Sequence, residues 1–174
     1  MTAILLAATT AGFLQAAEPA NLLWQIGQPD NRAAEFALAP TNHLHFFARF
    51  GSSDSPYYVG LSRPECDWPY VLPGPLDGWA GGGRRATQGG WDMLHTLPIG
   101  FVLADPPRGG KCALTIDLCD THPQRPPRLR VTVNGAIYER ALSPGGSSDS
   151  LTTGNLQSAK QQTIRIEFPS SLLR

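Results

Sequence analysis

The chain has 174 residues, of which 41% are hydrophobic and 16% are charged, and its formal net charge is zero. This length fits one domain with its own core, and the hydrophobic content excludes a disordered chain. The balanced charge gives no long-range attraction to nucleic acid or to an anionic membrane surface, so neither is expected as a partner.

The first twenty residues, MTAILLAATTAGFLQAAEPA, have the outline of a secretory signal peptide, with an apolar run followed by small residues. No Lys or Arg precedes the run, so an N-terminal helix or a gene-start artefact is the alternative. The run is well short of the roughly 20 apolar residues that a membrane-spanning helix needs. We predict a signal peptide over 1–20, a secreted or periplasmic location, and a single domain over 21–174.

Beyond this segment, apolar residues alternate with polar ones, the period typical of half-buried strands. The strand patterns lie at 43–50, 99–103, 112–118, 129–133 and 163–168, and shorter candidates lie at 23–26, 35–38, 57–60 and 136–142. Asn134-Gly135 separates two of these patterns and predicts a tight hairpin turn, because both central residues of a type I′ turn need positive φ. The chain also has 18 Gly and 16 Pro, which suit short strands joined by many turns.

About nine short strands in one domain predict an all-β fold, a jelly-roll β-sandwich. The alternation predicts one shared core, made of Phe46, Phe101, Leu114, Ile116, Val131, Val133, Ile164 and Ile166.

The three cysteines give no zinc spacing and cannot all pair with one another. Cys112 and Cys119 differ in strand parity, so they are expected to face opposite ways and not to bridge. We interpret the cysteines, with Cys66, as free thiols.

No nucleophile elbow, phosphate-binding loop or facing pair of carboxylates is visible, so no catalytic residue is predicted. Asp120 and His122 favour a turn in the segment DTHP, with a metal ligand or a sugar contact as the alternative. His43 and His45 share a predicted strand face, where a metal clip competes with simple exposure to solvent. No cofactor is implied, and a structural calcium ion stays an open alternative.

The segment DWPYVLPGPLDGWAGG places large aromatic rings among residues that prevent regular structure. Pro fixes the backbone without ladder hydrogen bonds, so the segment is expected to form a rigid loop. Its rings close the core, face a partner domain, or form a stacking platform for a sugar. The next segment, GGGRR, is either a solvated insertion or an anion clamp, because arginine binds carboxylates bidentately.

The run LWQIGQPDNRAAEFAL resembles the opening of the carbohydrate-binding-module-like domain of rhamnogalacturonan lyases of polysaccharide lyase family 4. The runs YYVGLSRPECDWPY, LTIDLCDTH and PPRLRVTVNG are similar to later parts of that domain, in the same order. The resemblance implies a galactose-binding-domain-like jelly roll attached to a separate catalytic domain. That domain carries the catalytic Lys and His of the family, and this chain shows no counterpart of them. The chain also looks longer than the family pattern over 82–94.

The resemblance therefore implies a non-catalytic carbohydrate-binding module of a pectin lyase system, with a polysaccharide such as rhamnogalacturonan and a catalytic lyase domain as partners. A structural domain that only packs against a catalytic domain is one alternative. A small stand-alone carbohydrate-active enzyme is another. If the chain binds sugar, the predicted contacts are Trp68, Tyr70 and Trp79 for stacking and Arg84, Arg85 and His122 for polar contacts.

Overall fold

The structure is a computed structural model, and it describes residues 22–51, 54–74, 77–81, 95–105, 109–147 and 149–173. The predicted signal peptide, Arg84, Arg85 and the 82–94 segment lie outside these residues.

Six strands form three two-stranded sheets. β1 (Tyr57–Tyr58) pairs in parallel with β2 (Ile99–Gly100). The antiparallel pairs are longer: β3 (Lys111–Leu118) with β6 (Gln162–Pro169), and β4 (Arg128–Val133) with β5 (Ala136–Ala141). The four long strands confirm the patterns read at 112–118, 129–133, 136–142 and 163–168.

The main core lies between these two antiparallel pairs. Ile166, Phe168 and Leu173 are buried at its centre. Partly buried side chains from both pairs and from the segment after β2 pack around them, namely Phe101, Leu103, Cys112, Leu114, Val131, Val133, Tyr138, Ile164 and Leu172. Alternation along β3 and β4 produces this arrangement, since every second side chain of a strand points to the same face. The predicted core is therefore confirmed for most of its members, and Ile116 is half-buried.

The predicted strand at 43–50 is wrong. The segment forms a 3-10 helix, His43–His45, followed by α1, Phe46–Phe50. Residues four apart share a face in a helix as well as in a strand, so Phe46 and Phe50 fit both periods. Their ring centroids lie 5.0 Å apart, while Leu44 and Ala48, which a strand would bury beside them, are exposed.

Phe46 is consequently buried in a second, aromatic cluster and not in the β core. Its ring contacts Trp79 at 5.8 Å and His95 at 4.9 Å between centroids. Trp79 lies in the 3-10 helix Gly78–Ala80. The change to a helix also separates the two histidines, because His43 is buried and His45 is exposed, so they do not form the metal clip considered above.

The predicted strands at 23–26 and 35–38 are absent among the described residues, apart from a bridge between Ala37 and Pro69. The chain from the first to the second of these segments instead forms a loop that side-chain contacts hold together. The Glu35 carboxylate accepts a hydrogen bond from the Gln28 N–H at 2.9 Å, and the Phe36 ring occupies the space where a side chain at Gly27 would lie. Gly27, Glu35 and Phe36, which belong to the first run of the family resemblance, thus hold this loop together.

The remaining short elements lie between the strands or follow the last one. They are α2 (Pro64–Asp67), α3 (Ser150–Thr153) and the 3-10 helix Ser170–Leu172. The hairpin turn is confirmed, because Asn134 has φ 43° and Gly135 has φ 94° between β4 and β5. The three cysteines are free and half-buried, as predicted.

The longest regular elements of the described residues are strands and the helices are short, which agrees with an all-β domain. Its three sheets are open pairs, and none of them closes within the described ranges. No described helix is long and apolar enough to cross a membrane.

Candidate functional site

Trp68 and Tyr70 are fixed to the fold by the backbone between and around them. The Ala37 N–H donates to the Trp68 carbonyl at 2.9 Å, and the Tyr70 N–H donates to the Ala37 carbonyl at 3.2 Å. Pro69, which lies between the two aromatic residues in the chain, is fully buried, and both aromatic residues are half-buried. An irregular loop is therefore present after Trp68, as expected from this Pro-rich sequence, and backbone hydrogen bonds attach both aromatic residues to the fold.

Both rings are partly occupied by internal contacts. Trp68 meets Tyr57 edge-on, with 5.7 Å between the centroids. The Tyr70 hydroxyl donates to the Leu151 carbonyl at 3.0 Å, and burial raises the pKa of this phenol. These contacts favour core closure as the main role of the segment.

The Trp79 ring is also occupied by contacts within the chain. Its ring contacts Phe46 and also meets His43 edge-on, at 5.2 Å between centroids. The neighbouring Ala80 is buried, and its carbonyl is hydrogen-bonded to the His95 imidazole. Trp79 thus belongs to the aromatic cluster around α1, while Trp68 lies beside β1.

Asp120 organises the loop between β5 and β6. Its carboxylate accepts hydrogen bonds from the backbone N–H groups of Thr121, Gly146, Ser147 and Lys160 and from the hydroxyl of Ser150. Burial alone would raise the pKa of Asp120, but the backbone donors outweigh it and lower the pKa below its ordinary value. Only the Thr121 donor lies in the DTHP turn for which Asp120 was predicted, and the other four donors lie 26 to 40 residues further along the chain.

His122 completes the turn. Its Nδ1 accepts from the N–H groups of Gln124 and Arg125, at 3.1 and 3.0 Å. One ring nitrogen is thereby committed to the backbone, although the side chain itself is exposed. A sugar contact through the other ring nitrogen stays a prediction.

An open groove of about 420 Å³ lies between the end of β5 and the start of β6. Its walls are formed by Arg140, Ala141, Leu142, Ser143, Gln162, Thr163, Ile164 and Arg165. The Gln162 side-chain amide connects the two sides of the groove, since it accepts a hydrogen bond from the Ser143 N–H and donates one to the Ser143 carbonyl, both at 2.9 Å. One side-chain amide thus joins two chain segments that share no ladder hydrogen bonds.

The charged side chains that line the groove are both arginines. Arg140 donates to the backbone carbonyl of Glu139 at 2.9 Å, and no described carboxylate forms an ion pair with it. Arg165 pairs with Glu167 at 3.3 Å in a contact open to water, and Glu167 is shared with Lys111. Such an exposed pair is weak, so an incoming carboxylate can compete for the Arg165 guanidinium.

Sequence reasoning missed these two arginines. Arg140 and Arg165 belong to separate strand patterns, and each looks like an ordinary solvent-facing residue. Only the tertiary structure brings them to one groove.

The predicted site residues are not gathered in one place by the described contacts. Trp68 and Tyr70 share one loop, Trp79 lies in the aromatic cluster, and His122 lies in the turn after β3. Among the described residues, no group of three or more His, Cys, Asp or Glu is placed to hold a metal ion, so calcium gains no support there.

Comparison with known proteins gives a consistent result. The family model "CBM-like: Polysaccharide lyase family 4, domain III" matches residues 22–174. The chain is also 26% identical, over 175 residues, to the rhamnogalacturonate lyase of Dickeya dadantii (strain 3937). That match includes 95% of this chain and only 26% of the lyase, so the chain spans about a quarter of its relative. No solved structure matches significantly. On the extent of the family match, this chain belongs to the carbohydrate-binding-module-like domain III family of polysaccharide lyase family 4.

Proposed function

We propose that this chain is a non-catalytic carbohydrate-binding module that serves a rhamnogalacturonan lyase, and that it binds the acidic sugars of its polymer. The observation that carries the proposal is the groove with Arg140 and Arg165 on its walls. Guanidinium groups bind carboxylates through paired hydrogen bonds, and a uronic acid residue presents such a carboxylate. The name of the Dickeya relative supports this class of polymer.

The proposal includes a fold and a location. Two antiparallel strand pairs packed on one core are consistent with the two layers of a jelly-roll β-sandwich, although the described sheets are narrower. A module that meets plant polysaccharide would act outside the cytoplasm, secreted or in the periplasm, as the N-terminal sequence also suggests.

A structural role is the second candidate. Trp68 and Trp79 direct ring contacts toward neighbouring aromatics of the same chain. This favours a domain whose loop closes the core and whose surface packs against a catalytic partner. The binding experiment below separates the two functions, because a purely structural domain shows no affinity for the polymer.

The test is calorimetric titration of the chain with polygalacturonate and with rhamnogalacturonan oligosaccharides, at low and at high salt. We expect Arg140→Ala to lose about five- to tenfold in affinity at low salt, and this difference to shrink at high salt as screening weakens the charge contact. Arg128→Ala is the matched control, because this exposed arginine pairs with Glu139 and is not a groove residue.

Equal losses in the two variants would show a general charge effect and contradict the groove. Absence of wild-type binding to either polymer would overturn the carbohydrate-binding function. The sequence-predicted contacts are tested beside the groove with Arg84→Ala/Arg85→Ala and His122→Ala.

A further inference from the structure

The two tyrosines of β1 face opposite ways, as the pleat of a strand requires. Tyr57 is 4% exposed and packs edge-on against Trp68. Tyr58 is 52% exposed, which makes it the most open aromatic ring of the strands. None of the functional assignments above uses Tyr58.

Gly100 lies under the Tyr58 ring. The two residues are register partners in the β1–β2 pair. A Cβ atom added at Gly100 would lie 2.9 Å from Cδ1 and 3.1 Å from Cε1 of the ring. These distances are closer than ordinary contact, so the ring rests on strand backbone because glycine has no side chain. Such cross-strand support of an aromatic by glycine fixes the ring while leaving its outer side open.

Exposed apolar residues follow both Tyr58 and Gly100 in the chain. Leu61 follows in the turn after β1 and is 85% exposed, and its N–H donates to the Tyr58 carbonyl at 3.0 Å. Val102 follows Gly100 by two residues and is 96% exposed. Among the described residues, no lysine or arginine side chain stacks on the Tyr58 ring.

We propose that Tyr58, supported by Gly100, is a stacking platform for a neutral pyranose ring. The C–H face of a sugar is apolar and stacks on an aromatic face. Leu61 and Val102 follow Tyr58 and Gly100 in the chain and add exposed apolar surface, and no described guanidinium stacks on the ring to bind the carboxylate of a uronic acid. This second site rests on the proposed carbohydrate-binding function, and it differs from the groove in taking an uncharged sugar.

The experiment measures binding of the full chain to neutral galactan and, separately, to polygalacturonate, by affinity gel electrophoresis and calorimetry. Tyr58→Ala is expected to lose at least about tenfold in affinity for galactan, as loss of an anchoring aromatic does. Tyr58→Phe keeps the ring and is expected to bind within about twofold of the wild type. Gly100→Ala displaces the ring and is expected to weaken galactan binding.

Phe47→Ala is the matched control, because Phe47 is also 52% exposed but lies on α1. Circular dichroism establishes that each variant is folded, and 1 M NaCl is expected to leave the galactan affinity unchanged, since no charge takes part. Galactan binding that Tyr58→Ala leaves intact would overturn the platform, as would a wild type that binds polygalacturonate but not galactan. A wild type that binds neither polymer would overturn both the platform and the proposed function.

Discussion

Asp120 is a single side chain that holds a long polar loop. Its carboxylate receives five hydrogen bonds from four different parts of the segment 121–160. Gly145 and Gly146 allow this approach, because a side chain at either position would collide with the carbonyl of Thr121 or Ser158. The loop geometry therefore depends on one acid and two glycines.

We predict that Asp120→Ala destabilises the fold by about 3 kcal/mol, because several donors lose their acceptor together. The pKa of Asp120 is lower in the folded than in the unfolded chain, whose ordinary value is 3.8. The carboxylate thus contributes its full stability above that value, and the contribution is lost as the pH falls through the folded pKa.

Urea unfolding at a series of pH values between 7 and 3 checks this. The stability difference between wild type and Asp120→Asn is expected to be largest near neutral pH and to shrink in acid. A difference that stays constant over the whole range would show that the charge on Asp120 does not matter.

Substitution of Trp79 tests whether the aromatic loop packs against the interior or presents its rings to a ligand. We predict that Trp79→Ala lowers the free energy of unfolding by about 2–3 kcal/mol, because the ring contacts with Phe46 and His43 are lost. Phe47→Ala, at an exposed site on α1, is expected to change it by less than about 0.5 kcal/mol. Chemical unfolding measures both.

A Trp79→Ala variant that is as stable as the wild type but binds sugar more weakly would instead support the stacking role predicted from the sequence. The same comparison applies to Trp68→Ala, which loses its contact with Tyr57.

At the level of secondary structure, the β4–β5 hairpin is defined locally. Asn134 and Gly135 both have positive φ, and the Asn134 amide donates to the Leu172 carbonyl, 2.6 Å away. The turn therefore fixes the register of the hairpin and joins it to the C-terminal 3-10 helix.

We predict that Gly135→Ala destabilises the fold by about 1 kcal/mol, because a Cβ is strained at φ 94°. Gly78→Ala is the control, since Gly78 has no atom near the added Cβ and no positive φ. In thermal unfolding, we expect only Gly135→Ala to have a lower midpoint temperature than the wild type. Equal midpoints for the two variants would contradict the strain argument.

At the scale of the whole molecule, the described chain has a β core and an aromatic cluster, and its candidate binding features lie outside both. Arg140 and Arg165 line the groove, and Tyr58 lies on the outer side of β1. The proposed binding function therefore places its contacts on the surface and outside both clusters.

We predict that the chain by itself does not cleave rhamnogalacturonan, since its sequence shows no catalytic constellation. Absorbance of the unsaturated product of β-elimination measures this directly. Signal above the buffer control, in preparations free of other lyases, would contradict the prediction and favour a stand-alone enzyme.

The sequence by itself determined the long strands and the Asn134-Gly135 turn, because alternation and turn chemistry act over a few neighbouring residues. It did not determine the state of 43–50, where strand and helix periods place Phe46 and Phe50 on the same face. Only tertiary packing decided that this segment is helical and that Trp79 closes over it. Packing also brought Arg140 beside Arg165 and Tyr58 onto Gly100, since contacts between residues far apart in the chain leave no local period to read.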